Sequence, residues 1–118
     1  MKHSKQGYLN WFIRLVIENK KIQIYGDGMQ KRDFNYVDDV VDALLLAGAS
    51  DKANGEVFNL GTSEPISVLD SLKAIIKITK KGSYELIPFP AEKKAIEIWD
   101  YYADYSKIKN MLGWEPKV

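Results

Sequence analysis

The chain has no cysteine, and this absence excludes disulfides and thiolate metal sites. It also fits a reducing compartment, and we expect a cytoplasmic location. Histidine is nearly absent as well. The only one, His3, lies close to the start of the sequence, and we expect no catalytic role for it.

An excess of charge of one sign is also lacking. Seventeen basic residues face sixteen acidic ones, which gives a net charge of +1. Bulk charge therefore gives no reason to expect nucleic-acid or membrane partners. No apolar run reaches the length of a membrane span. Residues 1–7 carry basic side chains with no apolar run behind them, so they are not a signal peptide and resemble a loop cut in its middle.

What remains is an ordinary globular composition of 118 residues, 46% of them hydrophobic. That length supports one domain with a modest core, and we expect residues 1–118 to form it. Apolar residues at helical spacing predict about four helices. They cover residues 8–19, 40–49, 68–79 and a last short stretch that ends at Gly113.

Residues that begin helices stand before three of these segments. Asp38 or Asp39 can cap the helix over 40–49, which is apolar around much of its circumference and should be largely buried. Ser67 and Asp70 form a capping box for the helix over 68–79. Asp104 or Ser106 can cap the last helix.

Short stretches of β character lie between the helices and predict strands over residues 22–25, 34–37, 56–61 and 84–88. They are too short and too interrupted for a continuous parallel βαβ series. The fold class we predict is therefore α+β, a small domain with a short mixed sheet. Residues 88–102 form a long loop, and loops of that length are usually functional or disordered.

The run over residues 24–45 is the strongest functional signal. A strand end and a glycine turn come before Arg32, and a helix start follows it. Arginine stays charged and presents a planar fork that matches phosphate oxygens, so this corner suits an anion. The alternative is a surface arginine paired with Asp27 or Asp33.

Three blocks in order carry a family resemblance: residues 24–40 (IYGDGMQKRDFNYVDDV), 55–62 (GEVFNLGT) with 66–70 (ISVLD), and 103–108 (ADYSKI) with 112–117 (LGWEPK). Together they resemble the C-terminal, substrate-binding region of extended short-chain dehydrogenases/reductases. These are the NAD-dependent nucleotide-sugar epimerases and dehydratases, UDP-glucose 4-epimerase among them. The resemblance covers nearly the whole chain. It implies carbohydrate metabolism, including cell-surface polysaccharide synthesis, and a domain normally appended to a Rossmann domain that is absent here.

The resemblance also implies site residues for a nucleotide-diphosphate sugar. Arg32 occupies the position of the family's diphosphate-binding arginine. A second basic residue of the family falls at or near Lys94, where this chain has lysine in place of arginine, and the acidic residue that holds the ribose falls at Glu97. Tyr25 lies where the base is often found, although a tyrosine at a strand end is more often packing. The alternative for Lys93 and Lys94 is a solvated loop.

The family's chemistry needs NAD, a G-x-x-G-x-x-G turn and a Tyr-x-x-x-Lys pair. The glycine motif is missing, and only Tyr105 and Lys109 match the pair's spacing, outside any dinucleotide fold. We therefore expect no catalytic, cofactor or metal residue here, and whether this chain alone is an enzyme stays open. The leading hypothesis is a C-terminal fragment that binds nucleotide sugar. The alternatives are a free-standing binding or interaction module without chemistry, and a degraded paralogue.

Overall fold

A computed structural model of the chain describes residues 7–118, which form two compact units. Unit 1 consists of the described residues up to Gln30 together with Ile66–Trp99. Unit 2 consists of Lys31–Pro65 and Asp100–Val118. His3 and nearly all of the predicted N-terminal loop lie outside the described residues.

Short helices and shorter strands alternate along the chain. The helices are α1 Tyr8–Ile17, α2 Val37–Ala49, α3 Val68–Thr79, α4 Ala91–Lys94 and α5 Ser106–Leu112, with a 3₁₀ turn at Asp51–Ala53. The strands are β1 Lys21–Tyr25, β2 Lys31–Arg32, β3 Ile66–Ser67 and β4 Ser83–Ile87. The predicted α+β class is confirmed. None of the helices in residues 7–118 is long and apolar enough to cross a membrane.

Unit 1 is built around a parallel pair of strands. β1 and β4 run side by side in a register that joins Lys21 to Ser83 and Tyr25 to Ile87. Ile22 and Ile24 point into the core, as the alternation of the strand requires. The core of this unit combines residues of α1, β1 and α3: Phe12, Val16, Ile22, Ile24, Val68 and Leu72.

The turn after β1 is fixed by a close approach of backbone and side chains. Gly28 has φ +68°, and a Cβ placed there would lie 2.7 Å from Ile24 Cγ2 and 2.9 Å from Leu69 Cβ. Only glycine fits both restrictions. The Gly28 carbonyl accepts a hydrogen bond from the Leu69 amide at 2.9 Å, so the turn is held against the first turn of α3.

The predicted start of α3 is confirmed. Ser67 is the N-cap, and its Oγ accepts the Asp70 amide at 3.0 Å. The same Oγ donates to the Asp70 carboxylate at 2.8 Å. The bond closes the first turn and satisfies one of the amides that a helix start leaves without a partner.

Unit 2 joins α2 to α5 and the residues that follow α5. Its core is formed by Ala43, Ile108 and Trp114. The Trp114 indole Nε1 donates to the Asp39 carbonyl at 2.8 Å. The buried Asp39 carboxylate accepts the backbone amides of Lys117 and Val118, both at 3.1 Å, so the tail is fastened along α2.

Two predicted strands are wrong. Residues 34–36 form no strand, since β2 lies earlier and α2 already begins at Val37. Residues 56–61 form none because a strand needs a ladder partner, and no described strand pairs with them. Both stretches have the composition of a strand without the neighbour that would complete it.

Two predictions about α2 are also wrong. Its N-cap is Tyr36, without a side-chain hydrogen bond, and the two predicted capping aspartates lie inside the first turn. There their charge still meets the positive end of the helix dipole. The helix is not largely buried, because only Asp39 and Ala43 are shielded from solvent.

The start of α5 differs from its prediction by less than the start of α2 does. Its N-cap position is Tyr105, again without a side-chain bond, while Asp104 Oδ1 accepts the Ser106 amide at 2.8 Å. That bond holds the pKa of Asp104 below its ordinary value. Gly113 ends the helix, as the sequence predicts, and it adopts the left-handed conformation.

Candidate functional site

Arg32 lies on β2, and β2 is fastened to the segment that follows residue 99. The Lys31 carbonyl accepts the Tyr101 amide at 3.0 Å, and the Lys31 amide donates to Asp100 Oδ1 at 2.8 Å. Arg32 itself forms a parallel bridge with Tyr101. These contacts hold the backbone of Arg32 beside residues 100–101 within unit 2.

The next residue brings a second part of the chain to the same place. Asp33 Oδ2 accepts the Ala103 amide at 3.0 Å. Gly61 is buried there, and a Cβ on it would lie 2.6 Å from the Ala103 carbonyl oxygen and 3.1 Å from Asp33 Oδ2. The three sequence blocks thus meet at one point, beside Arg32.

From the sequence alone we predict an architectural role for Asn59 and Gly61, because an Asn-x-Gly turn suits left-handed geometry. The architectural role of Gly61 is confirmed, but the geometry is wrong because Gly61 is not at positive φ. Glycine is required for the close approach of Ala103. Lys107 links the same blocks from outside, with its Nζ 2.7 Å from Glu56 Oε2 and 5.3 Å from the centroid of the Phe58 ring.

The guanidinium of Arg32 is oriented by the backbone. Its Nη1 donates to the Lys31 carbonyl at 2.7 Å, and the residue is half-buried. Nearby, Asp33 accepts the Ala103 amide at 3.0 Å, and Asp27 accepts the Met29 amide at 2.9 Å. A charged fork on a rigid strand, partly shielded from water, is suited to an oxyanion.

The other three predicted site residues lie in unit 1. Tyr25 ends β1 and is half-buried. Lys94 ends α4 and is exposed, and Glu97 follows it, half-buried, with its amide 3.5 Å from the Lys94 carbonyl oxygen. Unit 1 therefore holds Tyr25, Lys94 and Glu97, while Arg32 belongs to unit 2.

Tyr25 is engaged by residues that the sequence did not single out for this role. Lys93 Nζ donates to the Tyr25 hydroxyl at 2.8 Å and lies 4.7 Å from the centroid of its ring. The Phe89 ring packs against Tyr25, with centroids 5.4 Å apart. Lys93 and Tyr25 are 68 positions apart, so no local pattern could have revealed the contact. The donated hydrogen bond raises the pKa of Lys93 above its ordinary value.

The one tyrosine–lysine pair with catalytic spacing is used for packing and surface charge. Tyr105 meets Trp114 edge-on, with ring centroids 5.8 Å apart. Lys109 Nζ lies 2.6 Å from Glu115 Oε2, and that hydrogen bond raises the pKa of Lys109. Within residues 7–118, no cluster of acidic residues or histidine is arranged to hold a metal ion.

Comparison with known proteins gives one consistent answer. The family described as GDP-mannose 4,6 dehydratase matches residues 9–118. Among curated relatives, UDP-glucuronate 4-epimerase of Thermodesulfobacterium geofontis is 38% identical over 91% of this chain. The dTDP-D-glucose 4,6-dehydratase of Bos taurus is 35% identical over 91% of it. The chain spans only 32% and 31% of these two proteins, about a third of their length.

Solved structures agree. The UDP-glucuronic acid 4-epimerase of Bacillus cereus, in complex with UDP-glucuronic acid and NAD, is similar over 96% of this chain and 35% of its own, with a TM-score of 0.79 and 32% identity. The UDP-glucose 4-epimerase of Thermotoga maritima with UDP-glucose is similar over 95% of this chain and 35% of its own, with a TM-score of 0.73 and 36% identity. The chain therefore belongs to the NAD-dependent epimerase/dehydratase family of extended short-chain dehydrogenases/reductases.

Proposed function

We propose that this chain is the nucleotide-sugar-binding portion of an NAD-dependent epimerase or dehydratase, and that Arg32 grips the diphosphate. The observation that carries the proposal is the meeting of the three family blocks beside Arg32, through the Asp33–Ala103 hydrogen bond and the close approach of Gly61. A fork held on a fixed strand loses little freedom when it binds, which favours bidentate contact with phosphate.

The remaining residues extend the same proposal. Lys94 supplies a second positive charge for the phosphates, as a point charge and not a fork. Glu97 accepts hydrogen bonds from the ribose hydroxyls, and Tyr25 contributes its ring beside the base. The complexes with UDP-glucose and UDP-glucuronic acid among the solved relatives make UDP the natural probe.

NAD does not fit the described residues of this chain. The glycine turn after β1 leads to another strand and not to a helix N-terminus, the place where a pyrophosphate is bound. Gly28 is needed because Ile24 and Leu69 fill the space of a Cβ, not because a cofactor approaches. In this proposal, NAD and the catalytic pair belong to a Rossmann domain outside this chain.

One face of α2 is apolar and exposed, which supports the proposal of a further domain. Val37, Val41, Leu44 and Leu45 share one side of the helix and are 45–67% exposed. The opposite side already packs into unit 2 through Ala43. A helix with apolar residues on two sides normally has a neighbour on each. We propose that this α2 apolar face, and segment 56–60, which forms no strand with the described residues, meet the portion that the longer relatives possess.

We further propose that the enzyme acts in polysaccharide synthesis. We propose the cytoplasm as its location, in keeping with the absence of cysteine. The DNA sequence upstream of this coding segment distinguishes between a fragment of a longer enzyme and a free-standing module. An in-frame upstream segment with the glycine turn and the tyrosine–lysine pair supports the fragment. An upstream stop codon with a ribosome-binding signal contradicts it.

The diphosphate assignment is tested by titrating the chain with UDP and following amide shifts by NMR. Arg32→Ala should weaken binding about tenfold or more, the usual effect of losing a charge-assisted contact. Arg14→Ala is the matched control, because Arg14 is paired with Glu18 on the surface of α1. Equal affinities for the two variants would remove Arg32 from the site.

A further inference from the structure

A segment that leads from β4 crosses the end of β1. Residues 88–99, here the strap, contain α4 and carry both Lys94 and Glu97. The strap is folded locally: the amides of Lys93 and Lys94 donate to the Pro90 carbonyl at 3.0 and 2.8 Å, and the Ala95 amide donates to Ala91 at 3.2 Å. A turn this short is not stable by itself, so it needs an anchor.

Aromatic packing provides one anchor. The Phe89 ring lies over Gly26, where a Cβ would be 3.3 Å from its edge, and packs on Tyr25 with centroids 5.4 Å apart. Trp99, at the other end of the strap, packs on Phe89 at 5.6 Å. Both ends of the strap therefore meet at Phe89, which packs on the Tyr25 ring at the end of β1.

Lys93 provides the second anchor, from the middle of the strap. Its ammonium donates to the Tyr25 hydroxyl at 2.8 Å while lying 4.7 Å from the ring centroid, so the same group makes a hydrogen bond and a cation–π contact. The next lysine differs: among the contacts of residues 7–118, the Lys94 ammonium has no hydrogen-bond or ion-pair partner. The two neighbouring lysines thus have different surroundings.

We propose that Lys93 is a positioning residue, which fastens the strap to Tyr25 and so holds Lys94 and Glu97 in place for a nucleoside diphosphate. The inference rests on the proposed function for its ligand. Its physical basis is preorganisation: a strap that is already ordered loses less conformational freedom when the ligand binds. Lys93 itself need not touch the nucleotide.

The first arm of the test uses no nucleotide. Hydrogen exchange of the amides of residues 93–95 reports the opening of α4. Lys93→Met and Tyr25→Phe should each speed that exchange about three- to tenfold, since each removes the same hydrogen bond. Lys93→Arg, which can still donate to the hydroxyl, should restore slow exchange. Lys77→Met, an exposed lysine on α3, is the matched control. Unchanged exchange in Lys93→Met would overturn the proposal.

The second arm measures the dissociation constant for UDP in the same variants. Lys93→Met and Tyr25→Phe should each weaken binding about three- to tenfold, and the double variant no further, because both act through one contact. Additive losses would overturn the proposal, since they would mean that Lys93 acts on the ligand directly.

The two arms distinguish this inference from the proposed function. If the unsubstituted chain shows no saturable binding of UDP, the proposed function fails. The exchange arm then still decides whether Lys93 fastens the strap: faster exchange supports the contact, and unchanged exchange overturns it.

Discussion

Gly61 shows how one residue holds the candidate site together. Its neighbour is the backbone carbonyl of Ala103, a residue whose amide donates a hydrogen bond to Asp33. The sequence indicated that Gly61 is architectural, but the reason lies 42 positions away. A close approach between distant segments leaves no local pattern, so residue-by-residue reading could not find it.

Substitution of Gly61 tests this account. Gly61→Ala should destabilise the chain by about 1–3 kcal/mol, the usual cost of forcing a methyl group into filled space. Gly48→Ala is the control, because Gly48 lies inside α2 with nothing within 4 Å of an added Cβ. It should stabilise the chain by about 0.5–1 kcal/mol through helix propensity. Urea unfolding measures both, and equal effects would contradict the account.

The pKa of Lys93 is a second test at the scale of a residue. The hydrogen bond to Tyr25 raises it above the ordinary value of 10.5, and Glu92 acts in the same direction. The contact therefore contributes its full stabilisation below the ordinary pKa and loses it as the pH rises through the raised one. Lysine side-chain NMR should show this pKa falling back in Tyr25→Phe. Identical values in both proteins would mean that the hydrogen bond does not form.

At the scale of elements, the sequence predicted those helices and strands whose signals are local. The start of α3 depends on Ser67 and Asp70, which are three positions apart, and it was predicted correctly. The stretches 34–37 and 56–61 have equally plausible composition, but a strand exists only with a partner, and no described strand pairs with either. The α4 turn was missed because its anchor, Tyr25, lies 68 positions from Lys93.

The cap of α3 can be measured directly. Ser67→Ala removes the hydroxyl that accepts the Asp70 amide, and it should lower the free energy of unfolding by about 1 kcal/mol. Ser63→Ala changes the same side chain at an exposed bend and should be neutral. A loss no larger at Ser67 than at Ser63 would show that the cap contributes little.

At the scale of the whole molecule, the chain spans about a third of the relatives' length, and the α2 apolar face is exposed among the described residues. The apolar sequence of α2 predicted burial, and the error has a physical cause. The side chains are of the kind that is buried, but the described residues cover only one side of the helix. A sequence indicates that a surface should be covered without indicating which polypeptide covers it.

Leu44→Glu tests that account in two contexts. Leu44 is 66% exposed, so the substitution should leave the stability of this chain nearly unchanged. In a longer protein that carries the upstream portion, the same change should cost about 1.5–3 kcal/mol or more, the value of a buried leucine. Thermal unfolding of both proteins measures the difference. A large loss in the short chain, or none in the long one, would contradict the proposed partner surface.

Above all, we propose that Arg32 binds the diphosphate of a nucleotide sugar. The most direct measurement follows the Arg32 Nε–Hε resonance of the intact chain during titration with UDP and, separately, with uridine, which has the base and ribose but no phosphate. Arg14 serves as an internal reference in the same spectrum. We expect a saturable shift of Arg32 with UDP, little shift with uridine, and none at Arg14. An Arg32 resonance that does not respond to UDP, or that responds equally to uridine, would contradict it.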